Sequence, residues 1–275
     1  MSWPRRLLRG LRLVVFAYLG VVVLLMLLEN WLVYHPVGAT NSWEPPPTPE
    51  IQDIELTCAD GTCVHSWWLP CAGSKSALLY FHGNAGNLSW RGKSVVKLRE
   101  QLGVSVLIVD YPGYGKSAGR PSEQGCYDCA DAAYAWVKDV QGIAPRNILI
   151  YGKSLGGGVA VHLASRCEHR ALVLVKTFTS APAVGGQLFP WLPVRWIMRN
   201  RFASIDRIKD CRRPIFFAHG DVDEVIPFSL GKKLFEAAGE PKQFVTMPGV
   251  RHNDAIPDDM FGELKAFLAK HAPVE

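Results

Sequence analysis

Residues 148–158 read Ile148-Leu149-Ile150-Tyr151-Gly152-Lys153-Ser154-Leu155-Gly156-Gly157-Gly158. An apolar run breaks into Gly-x-Ser-x-Gly and passes into a helix-forming segment at 159–165. The order predicts a strand, a sharp turn and a helix, with the serine held on a strained turn at the strand's carboxyl end. Such a turn needs residues without side chains two places either side of the serine, where neighbouring chain comes close. Gly152 and Gly156 meet that need. The same pattern occurs in ordinary strand-to-helix loops, so the flanking strand and helix decide the reading: a nucleophile elbow carrying Ser154.

Outward from the elbow the pattern repeats. Apolar runs at 51–58, 63–69, 77–81, 105–110, 147–151, 171–176, 214–218 and 242–247 predict eight strands, the first two forming a hairpin. Segments 94–102, 123–140, 154–165, 229–238 and 258–271 carry apolar residues at helical spacings of three and four. Strands rich in Val, Ile and Leu that alternate with helices imply an α/β domain with a mostly parallel sheet covered by helices on both faces. At 275 residues, 48% hydrophobic and 20% charged, the chain is long enough for one such domain with a substantial core. The stretch 180–213 breaks the rhythm and reads as an inserted lid. Its aromatic and basic residues are expected to shape a pocket rather than to touch lipid, an ordinary helix over the sheet edge being the simpler alternative.

The N-terminus obeys different rules. From Leu13 to Leu28 every residue is apolar or glycine, and Trp31, Leu32 and Val33 extend the run past Glu29 and Asn30. A helix of about 20 residues crosses a bilayer, so residues 1–34 are expected to be a basic segment and a transmembrane anchor, with Glu29 and Asn30 near the far headgroups. A cleaved signal would have a shorter apolar core and a small-residue cleavage site. Arg5, Arg6, Arg9 and Arg12 precede the span, which leaves the N-terminus in the cytoplasm and the large domain extracytoplasmic, periplasmic or lumenal. Residues 35–50, ending in Glu44-Pro45-Pro46-Pro47-Thr48-Pro49-Glu50, form a Pro-rich linker that acts as a semi-rigid spacer or lies along the domain. The domain itself is assigned to 51–275.

The net charge of +5 comes partly from the first arginines, and the basic residues form no stripe with interleaved aromatics, so nucleic acid is not an expected partner. The spacing of Cys and His fits no zinc site. Cys58 and Cys63 are expected opposite each other around an Asp60-Gly61 turn, either oxidised or as two thiols on a sheet edge. Cys126 and Cys129 are expected to pack in the core.

A serine hydroxyl needs a base, and the base an acid that fixes its tautomer. His252 lies between the last strand and last helix and is the candidate base; Asp223, in His219-Gly220-Asp221-Val222-Asp223, is the candidate acid, with Asp221 as its competitor. An oxyanion hole requires backbone N–H groups aimed at developing charge. Asn84, in the loop after 77–81, and Leu155 are the candidates, with His82 bracing that loop. His65, His162 and His219 read as structural or surface residues, and Lys153 is expected to point away from the site.

Taken together, Tyr80-Phe81-His82-Gly83-Asn84-Ala85-Gly86-Asn87, the loop 109–117 (Val-Asp-Tyr-Pro-Gly-Tyr-Gly-Lys-Ser), the Ser154 elbow, His219–Asp223 and His252-Asn253-Asp254 resemble the α/β-hydrolase superfamily. The likeness runs from about Ile51 to the C-terminus and is strongest to membrane-anchored ABHD-type serine hydrolases and their bacterial relatives. It implies an eight-stranded α/β-hydrolase fold, a Ser154, Asp223, His252 triad, no cofactor, and hydrolysis of an ester or thioester through an acyl-enzyme on a small or lipid-like acyl substrate. It favours Asp223 over Asp221. The alternatives are amide hydrolysis of the serine aminopeptidase type and a non-catalytic binding protein that keeps the fold.

Overall fold

The computed structural model describes residues 3–274; the first two residues of the expected N-terminal segment and the last residue of the expected domain lie outside the described residues. Eight strands form one sheet: β1 (Gln52–Thr57), β2 (Cys63–Leu69), β3 (Ala77–Phe81), β4 (Ser105–Val109), β5 (Ile148–Lys153), β6 (Ala171–Val175), β7 (Ile215–Gly220) and β8 (Lys242–Met247). Their order is β1-β2-β4-β3-β5-β6-β7-β8. β2 runs antiparallel to both its neighbours, and the remaining pairs are parallel. The five inner strands β3 to β7 are buried along their whole length except for Lys153 at the end of β5, as a sheet covered on both sides requires.

Alternate strand residues enter two separate cores. Leu79, Phe81 and Ile150 pack with α4 (Glu123–Ala135), α5 (Leu155–Ala164) and α9 (Phe228–Ala237). Leu78, Tyr80 and Leu149 pack on the other face with α3 (Gly92–Leu102) and α10 (Asp258–His271). The helix expected over 123–140 is α-helical only to Ala135 and ends in a π-helical turn at Trp136–Val140, where Trp136 meets Trp68 edge to face at 5.3 Å. Between β6 and β7 the chain makes three short helices, α6 (Ala181–Leu188), α7 (Val194–Ile197) and α8 (Ser204–Arg207).

The hairpin differs from expectation. Thr57, not Cys58, faces Cys63, because the turn spans one more residue and Asp60 accepts from the Thr62 N–H at 2.9 Å. Cys58 is buried and Cys63 exposed, on opposite faces of the ribbon, so the two thiols are not positioned to bond. Cys126 and Cys129 are buried in the core.

The N-terminal helix α1 (Trp3–Leu27) is followed directly by a short helix α2 (Glu29–Val33). Residues 6–27 are long and apolar enough to cross a membrane. The linker lies along the domain. His35 and Val37 donate to the Asn84 and Gly86 carbonyls, Asn87 Nδ2 reaches the Val37 and Ser42 carbonyls at 2.9 Å, and Trp43 packs edge-on against Trp67. Exposed Pro-rich chain has little ordering entropy to lose, and here aromatic contact and main-chain bonds suffice to fix it.

Candidate active site

Every candidate residue stands at a carboxyl end of a strand, on the edge where the strand order reverses and ligands bind in open α/β sheets. Ser154 follows β5 with φ 55° and ψ −122°, a left-handed conformation unusual for a residue with a side chain. The turn survives because its surroundings admit no alternative. A Cβ on Gly156 would stand 2.0 Å from the Phe81 carbonyl oxygen, and one on Gly152 2.5 Å from that of Gly156. The Ser154 N–H donates to the Val175 carbonyl at 3.0 Å, and Thr177 Oγ1 donates to the Ser154 carbonyl at 3.0 Å, so the end of β6 and the segment just after it hold the serine on both sides.

His252 Nε2 is 3.0 Å from Ser154 Oγ, and its Nδ1 is 2.8 Å from Asp223 Oδ2. All three side chains are buried. Asp223 Oδ1 also accepts from the N–H groups of Val225 and Ile226 at 3.0 and 2.7 Å. Burial pushes the Asp223 carboxyl up, but hydrogen bonds from His219, His252 and the Ile226 N–H together hold it well below the usual carboxylate range. A carboxylate that stays ionised fixes the Nδ1–H tautomer and leaves Nε2 free to accept the serine proton. Asp221 stands elsewhere: its Oδ1 accepts from the Gly249 N–H at 2.7 Å and ties the turn after β8. His219, read as structural from sequence, has Nε2 3.4 Å from Asp223 Oδ2, the oxygen that also meets His252, and 3.0 Å from the Ile226 carbonyl.

The loop after β3 passes beside the serine, where a Cβ on Gly83 would stand 3.4 Å from Ser154 Cβ. Asn84 and Leu155 line the same cavity as Ser154. Leu155 opens α5, where a backbone N–H has no acceptor within its own helix. The 109–117 motif acts on this loop from behind. Asp110 Oδ1 is 3.1 Å from His82 Nε2 and accepts from the Leu88 N–H at 2.7 Å; Tyr111 and Tyr114 donate to the His82 and Asn84 carbonyls, each at 2.7 Å. Asp110→Ala leaves a buried ring nitrogen and a buried N–H without their acceptor. It is expected to cost about 3 kcal/mol in urea denaturation and to lower activity as the loop loosens.

Two lysines carry information that sequence patterning missed. Lys176, at the end of β6 with φ 50°, is fully buried and donates all three ammonium protons to the carbonyls of Arg251, His252 and Asp254, at 2.6, 3.1 and 3.0 Å. It therefore fixes the His252 loop. Lys153, expected to point away, lies within electrostatic reach of Lys176 and Asp223; burial foremost, with Lys176 and Arg91 adding to it, pushes its pKa down to about 8. Below pH 8 it carries the cost of a partly buried charge. Between about 8 and 10.4 the folded protein releases a proton that the unfolded chain retains, so stability rises with pH. Lys153→Met is expected to stabilise by about 1–2 kcal/mol at pH 7, discounted for partial solvation, with the gain shrinking towards pH 10. Urea denaturation at both pH values checks this.

Above the serine lies a cavity of about 610 Å³. Its walls come from Phe178 and the lid helices α6 and α7, from Val225 and Ile226, and from the end of α1 together with α2. The lid's outer surface mixes aromatic and basic residues: Trp191 and Trp196 are 59% and 88% exposed, and Arg195, Arg199 and Arg201 are exposed beside them.

The profile for the alpha/beta hydrolase fold matches residues 76–196. An uncharacterised protein of Mycobacterium tuberculosis strain H37Rv is 38% identical over 92% of each chain. Alpha/beta hydrolase domain-containing protein 17B of Xenopus laevis is 35% identical, covering 73% of this chain and 68% of that one. The chain belongs to the α/β-hydrolase superfamily. The hydrolase also superposes on the Pyrococcus furiosus esterase Pf2001 with a TM-score of 0.70, at 20% identity over 86% of this chain and 99% of the other, a likeness of fold.

Proposed function

We propose that the hydrolase is a membrane-anchored serine esterase or thioesterase acting through Ser154, His252 and Asp223. The observation that carries this reading is the continuous hydrogen-bonded path from Ser154 Oγ through the His252 ring to Asp223, at 3.0 and 2.8 Å. Ser154 Oγ attacks the acyl carbonyl while His252 Nε2 takes its proton, and the negative charge on the carbonyl oxygen meets the N–H groups of Asn84 and Leu155. The imidazolium then protonates the leaving alcohol or thiol, leaving an acyl-serine. Water, deprotonated by the same nitrogen, attacks the acyl-serine; the acid departs, and Ser154 recovers its proton. No cofactor is needed for either half.

The apolar lining of the cavity supports an acyl group over a charged peptide as the occupant. The apolar helix within residues 6–27 supports anchoring, and the arginines at its start support a catalytic domain on the extracytoplasmic side. A fluorophosphonate probe is expected to label the wild type and not Ser154→Ala. A folded wild type that never labels and hydrolyses no ester would defeat the reading. Activity against aminoacyl amides exceeding that against acyl esters would favour the peptidase alternative.

A further inference from the structure

Part of the wall over Ser154 does not come from the hydrolase domain. Leu25, Met26, Glu29, Leu32 and Val33 line the cavity from α1 and α2. Their spacings of three, four and seven make one stripe along the helix. The same stripe continues towards the N-terminus through Val22, which is buried, and Tyr18, whose hydroxyl donates to the Trp191 carbonyl at 3.0 Å. A helix that only tethered a domain through lipid would present the same apolar surface all round. This one commits a face to the lid.

The commitment is fixed by a polar clasp. The Glu29 carboxylate, expected among headgroups, is buried against the lid. Oε1 accepts from the Arg199 N–H at 2.9 Å, the Asn200 N–H at 2.7 Å and Asn200 Nδ2 at 2.8 Å, while Oε2 accepts from Arg199 Nε at 3.3 Å. Asn200 Nδ2 also reaches Asn30 Oδ1 at 2.9 Å, and the Tyr34 hydroxyl donates to Asn200 Oδ1 at 2.7 Å. Both oxygens of Glu29, the one acidic side chain in the cavity wall among the described residues, are thus occupied by the lid. What remains for a ligand is Ser154 and Asn84 at one end and hydrocarbon along the rest.

We propose that α1 and α2 form the acyl-chain wall of the substrate cavity, so that the hydrolase takes long-chain acyl esters or thioesters whose chain enters along this wall from the surrounding bilayer. The inference rests on the serine esterase or thioesterase reading above. A volume of about 610 Å³ has room for on the order of 20 methylene-sized groups. A chain that leaves the lipid beside α1 and moves towards Ser154 meets mainly apolar side chains, the one carboxylate along the way being Glu29 with its oxygens bonded to the lid, and the carbonyl arrives at Ser154 and Asn84.

The full-length protein in lipid nanodiscs provides the test, with 4-methylumbelliferyl acetate, octanoate and palmitate as substrates. Leu32→Trp and, independently, Leu25→Trp fill the wall with a larger ring. Each is expected to lower the palmitate-to-acetate ratio of kcat/KM at least tenfold. Labelling at Ser154 by a short-chain fluorophosphonate shows that each variant is folded and separates this test from the parent reading, which fails only if the wild type neither labels nor cleaves any of the three esters. A palmitoyl thioester peptide and a palmitoyl glycerolipid in the same nanodiscs distinguish the two sources of such a chain. Leu32→Trp is expected to slow whichever the wild type cleaves. Ratios within twofold of wild type in both labelled variants would overturn the proposal, as would a wild type that prefers acetate to palmitate.

Discussion

Ser154→Ala should lower kcat for ester hydrolysis by about 10⁶-fold, because the triad acts as a unit and loss of its nucleophile alone removes nearly all that the three residues supply together. The residual rate should stand about 10³-fold above water, from binding and the oxyanion loop alone. Stability should change little, since the hydroxyl bonds His252 while the turn is fixed by the Ser154 N–H on the Val175 carbonyl and by the Thr177 hydroxyl on the Ser154 carbonyl. Steady-state kinetics and a thermal melt on the same preparation check both halves. A variant that keeps a tenth of wild-type kcat would show that Ser154 is not the nucleophile, whatever its geometry.

Lys176→Met should be the most damaging change at a residue that never meets substrate. Three carbonyls on the His252 loop, that of His252 buried and those of Arg251 and Asp254 partly so, lose their common donor. At about 1–3 kcal/mol for each unsatisfied group, the gross cost is on the order of 3 kcal/mol or more. Burial disfavours the Lys176 charge, so removing that charge offsets part of the cost. The loss of activity has no such offset: His252 must hold Nε2 within hydrogen-bond reach of Ser154, and a displacement of about 1 Å costs on the order of 10²-fold in rate. The variant should therefore fall about a hundredfold in kcat with a smaller change in KM, and its labelling by a fluorophosphonate should slow in proportion. Loss of stability with undiminished kcat would reduce Lys176 to a fold residue.

The parts of the fold that rest on local pattern were legible in the sequence. The inner strands are short, mostly apolar runs, and each was expected within a residue or two of its observed ends, because a sheet buried on both faces demands apolar residues along the whole strand. The convergence of Ser154, His252 and Asp223 followed from the place of each after its own strand, in the order Ser, Asp, His. The hairpin register did not follow, since Asp60 closes its own turn on Thr62 and lengthens the loop by one residue, which moves Cys58 out of line with Cys63. Lys176 gave no signal: a lysine ending a strand looks like a solvent-facing stop, and only the three carbonyls that surround it in space show otherwise. Glu29 looked like a boundary between apolar helix and headgroups for the same reason, because its partners Arg199 and Asn200 lie 170 residues away in sequence. The 109–117 loop was recognisable as a motif, but its hold on the loop after β3 through Asp110, Tyr111 and Tyr114 is a matter of contact in space.

The measurement that bears most directly on the proposed mechanism is mass spectrometry of the wild-type protein quenched in acid during turnover of a chromogenic ester. The account predicts one acyl group per chain, located on the peptide that contains Ser154 and absent from Ser154→Ala. Rapid turnover with no covalent adduct, or an acyl group on any other residue, would contradict it.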